Sequence, residues 1–336
     1  MHYFFAYWFD FKLKESMNGE DIHCIFCGKG TQKIAWIENG FVGKHCDCGL
    51  LYISPRPELE EILNLYNSYE ADVSAKSRIK AEFIGRLNAR HRLKLIKKYL
   101  NQGSLLEIGS GGGYFLDESR CVGFEPFGVE LNFRQAKFIK EELGIPVESD
   151  PFSESSFAGI YFDIICHFDV ISHFYDPISE FKKFNKRLRD RGILFFETGN
   201  GGDLSRRWLK FIGRLQYPQH LFFFSKKNIE QLCNRTGFEI IKIHQYSICL
   251  QLLMIKLFQL LSKNMKRLTI KESGKIGTEN LQEIPQKYSW WKTLSLKTAL
   301  WMPFFIRYKI GKILPKIGPQ TTIYIAKKVS TNDSTL

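Results

Sequence analysis

Between a short apolar stretch and a helical one stands Gly109-Ser110-Gly111-Gly112-Gly113, and this juncture constrains the fold more than any other part of the chain. Ser104 to Ile108 reads as a buried strand, and Tyr114 to Arg120 as the start of a helix. Strand, glycine turn and helix in that order form the first unit of a parallel α/β sheet. Glycines at 109 and 111 let the backbone take conformations closed to other residues and leave the main chain bare to a ligand, while Gly113 lets the helix come close. Such a turn also suits a diphosphate at the helix N-terminus. Glu107, directly before the first glycine, argues against one, because a carboxylate at the strand's end repels a diphosphate and attracts an ammonium group.

The next strand, Phe127 to Leu131, carries Glu130, 17 positions after Gly113. That spacing suits a carboxylate that accepts both hydroxyls of a ribose. The ligand that needs both acids is a nucleoside with a cationic amino-acid tail, S-adenosylmethionine. Asp150, after a third strand at Ile145 to Glu148, is the candidate for the adenine edge. A fourth strand, Phe162 to Cys166, runs into residues 167 to 176, which the carboxyl-end rule places at the cleft. His167 is assigned there to the cofactor. Asp169 and His173, four apart, would share a helical face as an orienting acid and a base. Gly192 to Glu197 is a fifth strand, followed by the loop Thr198 to Gly202. Ser225 caps a helix that Gly237 ends, Phe238 to Ile243 is a sixth strand, and Thr321 to Ala326 a seventh.

Ahead of the glycine turn, Cys24-Ile-Phe-Cys27 and His45-Cys46-Asp-Cys48 flank a strand-like stretch, Lys33 to Val42. Two such knuckles present ligands to one structural zinc ion in a ribbon. Cys24, Cys27, Cys46 and Cys48 are the expected ligands; His45 in place of Cys46 would restore the two-residue spacing, so the third ligand stays open between them. The other cysteines are scattered, which fits a reducing, cytoplasmic setting. The apolar start lacks a basic n-region, and Met17 offers an alternative start of translation. Glu58 to Tyr69 reads as a linker helix, and Lys76 to Leu100 as one long basic amphipathic helix with its charges in solvent.

The net charge of +13 is gathered in one place. Residues 246 to 317 hold 13 Lys and Arg against 3 Glu, which leaves the remainder close to neutral. Ile248 to Leu261 is almost continuously apolar, and Trp290-Trp291 opens a second such stretch to Leu314, but lysines and Pro303 interrupt both before a bilayer span accumulates. Aromatics interleaved with Lys292, Arg307, Lys309, Lys312 and Lys316 fit an interfacial segment drawn to anionic lipid; a lid with a solvated basic face fits as well. Nucleic acid ranks third as the polyanion.

Taken in order, Cys46 to Pro57, Glu107 to Gly113, Glu130, Asp169 to Pro177 and His220 to Ser225 make the chain resemble S-adenosylmethionine-dependent methyltransferases with an N-terminal zinc ribbon, a group similar to sugar-modifying and ubiquinone-biosynthesis methyltransferases. The resemblance implies a Rossmann-like seven-stranded sheet of the α/β class whose seventh strand lies antiparallel between the fifth and sixth. A small zinc ribbon precedes it and a helical insertion comes before the last strand. It divides the chain into an extension (1–19), the ribbon (20–55), linker helices (56–100), the cofactor-binding domain (101–247 and 318–330) and the basic insertion (248–317). It implies methyl transfer to a small-molecule or glycan acceptor, with His173 or His220 as base, and the basic insertion alone adds the expectation of a lipid-linked acceptor at the cytoplasmic membrane face. Ser172 stands where the quinone-type enzymes have an acid, which speaks against a metal-assisted catechol mechanism. An RNA-directed methyltransferase and a non-catalytic cofactor-binding scaffold are the rival expectations.

Overall fold

The computed structural model describes residues 19–257 and 301–329. Two short strands, β1 (Gly19–Glu20) and β5 (Arg56–Pro57), pair at the front. Between them β2 (Ile34–Glu38), β3 (Phe41–His45) and β4 (Leu51–Ile53) form an antiparallel sheet. The stretch expected as a single strand is thus a hairpin. Asn39 and Gly40 both have positive φ, 52° and 80°, the geometry of the two-residue turn that matches strand twist.

Three helices follow: α1 (Leu59–Leu65), α2 (Tyr69–Lys80) and α3 (Glu82–Ile96). The long helix expected from Lys76 is broken at Ala81. There the Tyr114 hydroxyl donates to Ile79 O, and Ala81 N donates to Arg78 O, so carbonyls at the end of α2 turn toward the glycine turn and close the helix. Nor is the basic face simply solvated. Arg86 and Arg90 bind Glu118, and Arg92 reaches the buried Glu197 at 2.9 Å.

The central sheet is built from β6 (Gly103–Ile108), β7 (Phe124–Val129), β8 (Val147–Glu148), β9 (Phe162–Phe168), β10 (Leu188–Gly199), β12 (Phe238–Ser247) and β13 (Gln320–Lys328). Its order is β12-β13-β10-β9-β6-β7-β8. Strands β6 to β10 are parallel, and β13 enters antiparallel between β10 and β12. This is the seven-stranded arrangement with a reversed seventh strand. Runs such as Ile193 to Phe196 are buried throughout because helices cover both faces. Those helices are α4 (Tyr114–Cys121), α5 (Phe133–Glu141), α6 (Pro177–Arg187) and α8 (Lys226–Arg235), with α7 (Arg206–Ile212) beside the β10 end. Side-chain caps from Asn132 on α5, Asp176 on α6 and Ser225 on α8 satisfy first-turn N–H groups.

One strand from the second half of the chain does not join the central sheet. β11 (Phe222–Phe223) adds to the front sheet beside β4, in the order β11-β4-β3-β2. One apolar cluster accordingly runs from Phe26 and Leu50 through Phe224 and Leu232 to Phe181 and Phe196.

Of the basic insertion, residues 249–257 and 301–305 are helical, followed by a π-helical turn, Ile306–Ile310, and a short helix, Gly311–Ile313. Trp290-Trp291, Lys292 and Lys297 lie outside the described residues. Arg307, expected among the solvent-facing cations, is instead buried with Tyr308 against Glu197. Burial beside a carboxylate removes it from any lipid-facing set. No helix among the described residues is long and apolar enough to cross a membrane.

Candidate functional site

At the carboxyl end of β6 the chain folds back on itself. Gly109 N and Ser110 N both donate to Val129 O, at 2.7 and 3.2 Å, which ties the turn to the end of β7. Gly109 and Gly113 each have φ of 74°, and a Cβ on them would lie 2.6 Å from Val170 Cγ2 and from Ile139 Cγ1 respectively. Gly111, at φ 57°, has open room on its Cβ side, with Gln135 Nε2 nearest at 3.6 Å. Here the need is conformational and the main chain stays bare.

Two acids face this turn. Glu130 accepts from Gly111 N at 2.7 Å and from Asn132 N at 2.9 Å, so its carboxylate is aimed across the glycines. Glu107 is 3% exposed, and its Oε2 has no hydrogen-bond partner among the described residues. Burial raises the pKa of both, that of Glu107 well above the usual range, with Glu130 adding to the effect and Arg92 opposing it. An orphaned buried carboxylate oxygen is costly, and a cationic N–H donor relieves that cost. These residues therefore fit the amino-acid end and the ribose of S-adenosylmethionine. Asp150 is exposed just past β8, at the same edge of the sheet.

His167 is not brought to this group. The register pairs Glu107 with Cys166 and Ile108 with His167, so the His167 ring leaves the sheet on the face opposite Glu107. It is fully buried among Phe174, Phe181, Phe184 and Phe196, with both ring nitrogens unpartnered among the described residues. Burial lowers its pKa to about 3. The ring thus packs into the aromatic core, away from Glu107 and the glycine turn.

Asp169 and His173 do not share a helix either. Asp169 ends β9 in the left-handed region, φ 58°, and His173 closes a 3₁₀ turn, Ile171–His173. No hydrogen bond joins them among the described residues; His173 lies instead against His220, ring centroids 4.3 Å apart and planes tilted by 42°. His220 Nδ1 lies 2.8 Å from Ser172 Oγ and its Nε2 3.1 Å from Gln216 Oε1. His173 Nδ1 has no partner among the described residues. Burial, followed by Arg78, holds His173 at a pKa of about 4, and burial with His173 pushes His220 well below its ordinary value. Both imidazoles are neutral near pH 7, and of the two only His173 offers an acceptor nitrogen that no protein group occupies.

On the same face of the sheet as Glu107 lies an ion cluster that sequence reasoning missed. Glu197 is fully buried and touches Arg92 at 2.9 Å, Tyr308 Oη at 3.0 Å and Arg307 at 3.7 Å. Burial would raise its pKa, but the two guanidinium groups outweigh it and hold it at about 2. An acid closing the apolar run Ile193 to Phe196 was the available signal, since a buried carboxylate demands cations.

At the front, the Sγ atoms of Cys24, Cys27, Cys46 and Cys48 lie within 4.8 Å of one another. Zinc–sulfur bonds of about 2.3 Å put tetrahedral sulfurs roughly 3.8 Å apart, so the four thiols fit one ion. His45 is not in the group: its Nε2 faces Gly202 O at 3.4 Å. Asn228 Nδ2 donates to Cys48 O at 3.2 Å and approaches Cys48 Sγ at 3.7 Å, the kind of outer contact that orients a ligand.

Residues 80–243 match a family model described as a methyltransferase domain. The chain is 31% identical over 102 residues to a ubiquinone biosynthesis O-methyltransferase of Methylobacterium sp. (strain 4-46), covering 29% of this chain and 41% of the relative. It is 24% identical over 163 residues to a tRNA U34 carboxymethyltransferase of Campylobacter jejuni, covering 44% of this chain and 54% of the relative. The chain thus spans about half the length of these curated relatives. Among solved structures, a SAM-dependent methyltransferase from Archaeoglobus fulgidus superposes with a TM-score of 0.42 at 19% identity, over 72% of this chain and 94% of that one.

Proposed function

With residues 80–243 a methyltransferase domain, we propose that the chain transfers the methyl group of S-adenosylmethionine to a small-molecule, glycan or lipid-linked acceptor. The observation that carries the reading is the unpartnered Glu107 carboxylate oxygen buried beside a positive-φ glycine turn that Glu130 spans. Glu107 would take the ammonium of the methionine portion, Glu130 the ribose hydroxyls and Asp150 the adenine edge, with Gly109, Gly111 and Gly113 giving the main chain access. The bound cofactor supplies an electrophilic methyl on a sulfonium, which leaves as a thioether.

What remains for the protein is alignment and one proton. His173 Nδ1 is the group placed to take the proton of an acceptor hydroxyl or amine as the methyl arrives, while burial excludes competing water. The four-cysteine cluster holds zinc in a structural role, having four thiolates and no open position. Exposed Trp301, Met302, Leu253 and Leu257, near the basic residues of the insertion, support a lipid-linked acceptor and peripheral contact with anionic membrane. The name of the Campylobacter relative favours a second reading, an RNA acceptor.

Titration calorimetry with S-adenosylmethionine and S-adenosylhomocysteine tests the premise, and an absence of heat in both would end it. Incubation of host extract with labelled methyl donor then sorts the acceptor: label in lipid or glycan supports the first reading, label in RNA the second.

A further inference from the structure

We propose that Glu38, at the tip of the front hairpin, is a positioning residue for the His173–His220 pair, an inference that rests on the methyl-transfer reading above. The metal ribbon would then form one wall of the acceptor site.

The contacts run without a gap. Glu38 Oε2 accepts from Leu215 N at 2.6 Å and from Gln216 N at 3.1 Å, and Oε1 lies 3.3 Å from Arg214 Nε. Its carboxylate thus gathers the successive backbone N–H groups of residues 215 and 216, 177 and 178 positions away in sequence. Next to it, Asn39 Nδ2 donates to Tyr217 O at 2.7 Å. The buried Tyr217 ring lies against Gly43 of β3, where a Cβ would come 2.1 Å from the Tyr217 hydroxyl oxygen. The hairpin therefore holds residues 214 to 217 from both strands.

That grip is transmitted to the two histidines. Gln216 sits in the left-handed region, φ 63°, a conformation that an unbranched residue keeps only when its surroundings enforce it. So held, it places Oε1 3.1 Å from His220 Nε2. With that oxygen as acceptor, Nε2 carries the hydrogen and Nδ1 accepts from Ser172 Oγ. Leu221 N donates to Ser172 O at 2.8 Å, which locks the same segment to the turn that bears His173. The rings of His173 and His220 then lie against each other, and the nitrogen left without a partner among the described residues is His173 Nδ1. His220, both of whose nitrogens are engaged, orients; His173 faces the acceptor.

The test uses full-length protein with nitrogen-15-labelled histidine, wild type and Glu38→Ala, each titrated with S-adenosylhomocysteine. Loss of the carboxylate is expected to abolish the Nε2–H signature of His220 and to shift His173, while the cofactor Kd stays within about twofold because Glu38 bonds to residues 214 to 216 and to none of the glycine turn. Should Glu38→Ala fold poorly, Gln216→Ala leaves the hairpin intact and removes only the bond to His220; the same two resonances should move. Histidine spectra identical to wild type in the folded variant overturn the role of Glu38. Wild-type protein that gives no cofactor heat speaks against methyl transfer instead, a separate readout.

Discussion

The two parts of the proposed site are assembled in opposite ways. The cofactor side is local: Glu107, the glycine turn and Glu130 fall within 24 consecutive residues, and one strand–turn–helix unit places them. The part proposed for the acceptor is assembled from afar, with Glu38 reaching Gln216 and His220 reaching Ser172, and the cysteine cluster beside it draws on Asn228, 180 positions from Cys48. A local site tolerates damage elsewhere in the chain, whereas a site closed by long-range contacts depends on every module that contributes to it.

The largest expected effect follows from removing the zinc proposed for the four cysteines. Structural zinc in small modules carries an apparent binding free energy of roughly 10–16 kcal/mol, so chelation, or Cys46→Ser, should unfold the front sheet. Because β11 pairs with β4, residues 214 to 225 should lose hydrogen-exchange protection together with residues 41 to 53. Residues 103 to 130 should keep theirs, with the cofactor Kd changed by less than about threefold. Equal loss on both sides would erase the distinction between them.

Glu197 is also held from afar, since Arg92 comes from α3 and Arg307 from the basic insertion. Glu197→Ala would leave two buried cations unpaired, at a cost of about 3–5 kcal/mol. Denaturant unfolding measures it. A loss under about 1 kcal/mol would mean that water already reaches the cluster.

A smaller effect is confined to the cofactor side. Glu130→Ala removes charge-assisted bonds worth about 1.5–3 kcal/mol each, so S-adenosylhomocysteine should bind roughly 10- to 100-fold more weakly. The His173 and His220 resonances should stay in place. If they moved, the two sides would be coupled through the turn rather than built separately.

What the sequence made legible divides along the same line. The strands and the glycine turn follow from local periodicity and one motif, and the reversed last strand from the family resemblance, so β6, β7, β9, β10 and β13 lie where they were expected. The knuckle cysteines announced themselves by spacing. Glu38 gave no signal, because a hairpin-tip acid is usually solvated and only tertiary contact turns it inward. Asp169 and His173 were placed on a shared helical face by counting, but the chain leaves β9 through a left-handed residue and a 3₁₀ turn, which breaks the i,i+4 geometry. Arg307 was read as surface charge because its partner, Glu197, lies 110 positions earlier.

His167 sharpens the comparison from within the sheet, because it sits on β9 between the two sides and its position at the strand's end suggested the cofactor. Its ring is buried with no polar partner among the described residues, and burial lowers its pKa to about 3, against about 6.5 in an unfolded chain. Between those values the unfolded chain binds a proton that the native one refuses, so stability is lost as pH falls below about 6.5 and goes on falling toward 3. At pH 5 the gap from the unfolded value is about 1.5 units, or roughly 2 kcal/mol. A phenylalanine fits the surrounding aromatic cluster and has no such liability. His167→Phe should therefore be at least as stable as wild type at pH 7 and gain a further ~2 kcal/mol over it by pH 5, read from urea midpoints at the two pH values. Cofactor affinity should not change. A variant that instead binds S-adenosylhomocysteine about tenfold more weakly would put the imidazole on the ligand, and strand parity would have to yield to a rearranged β9.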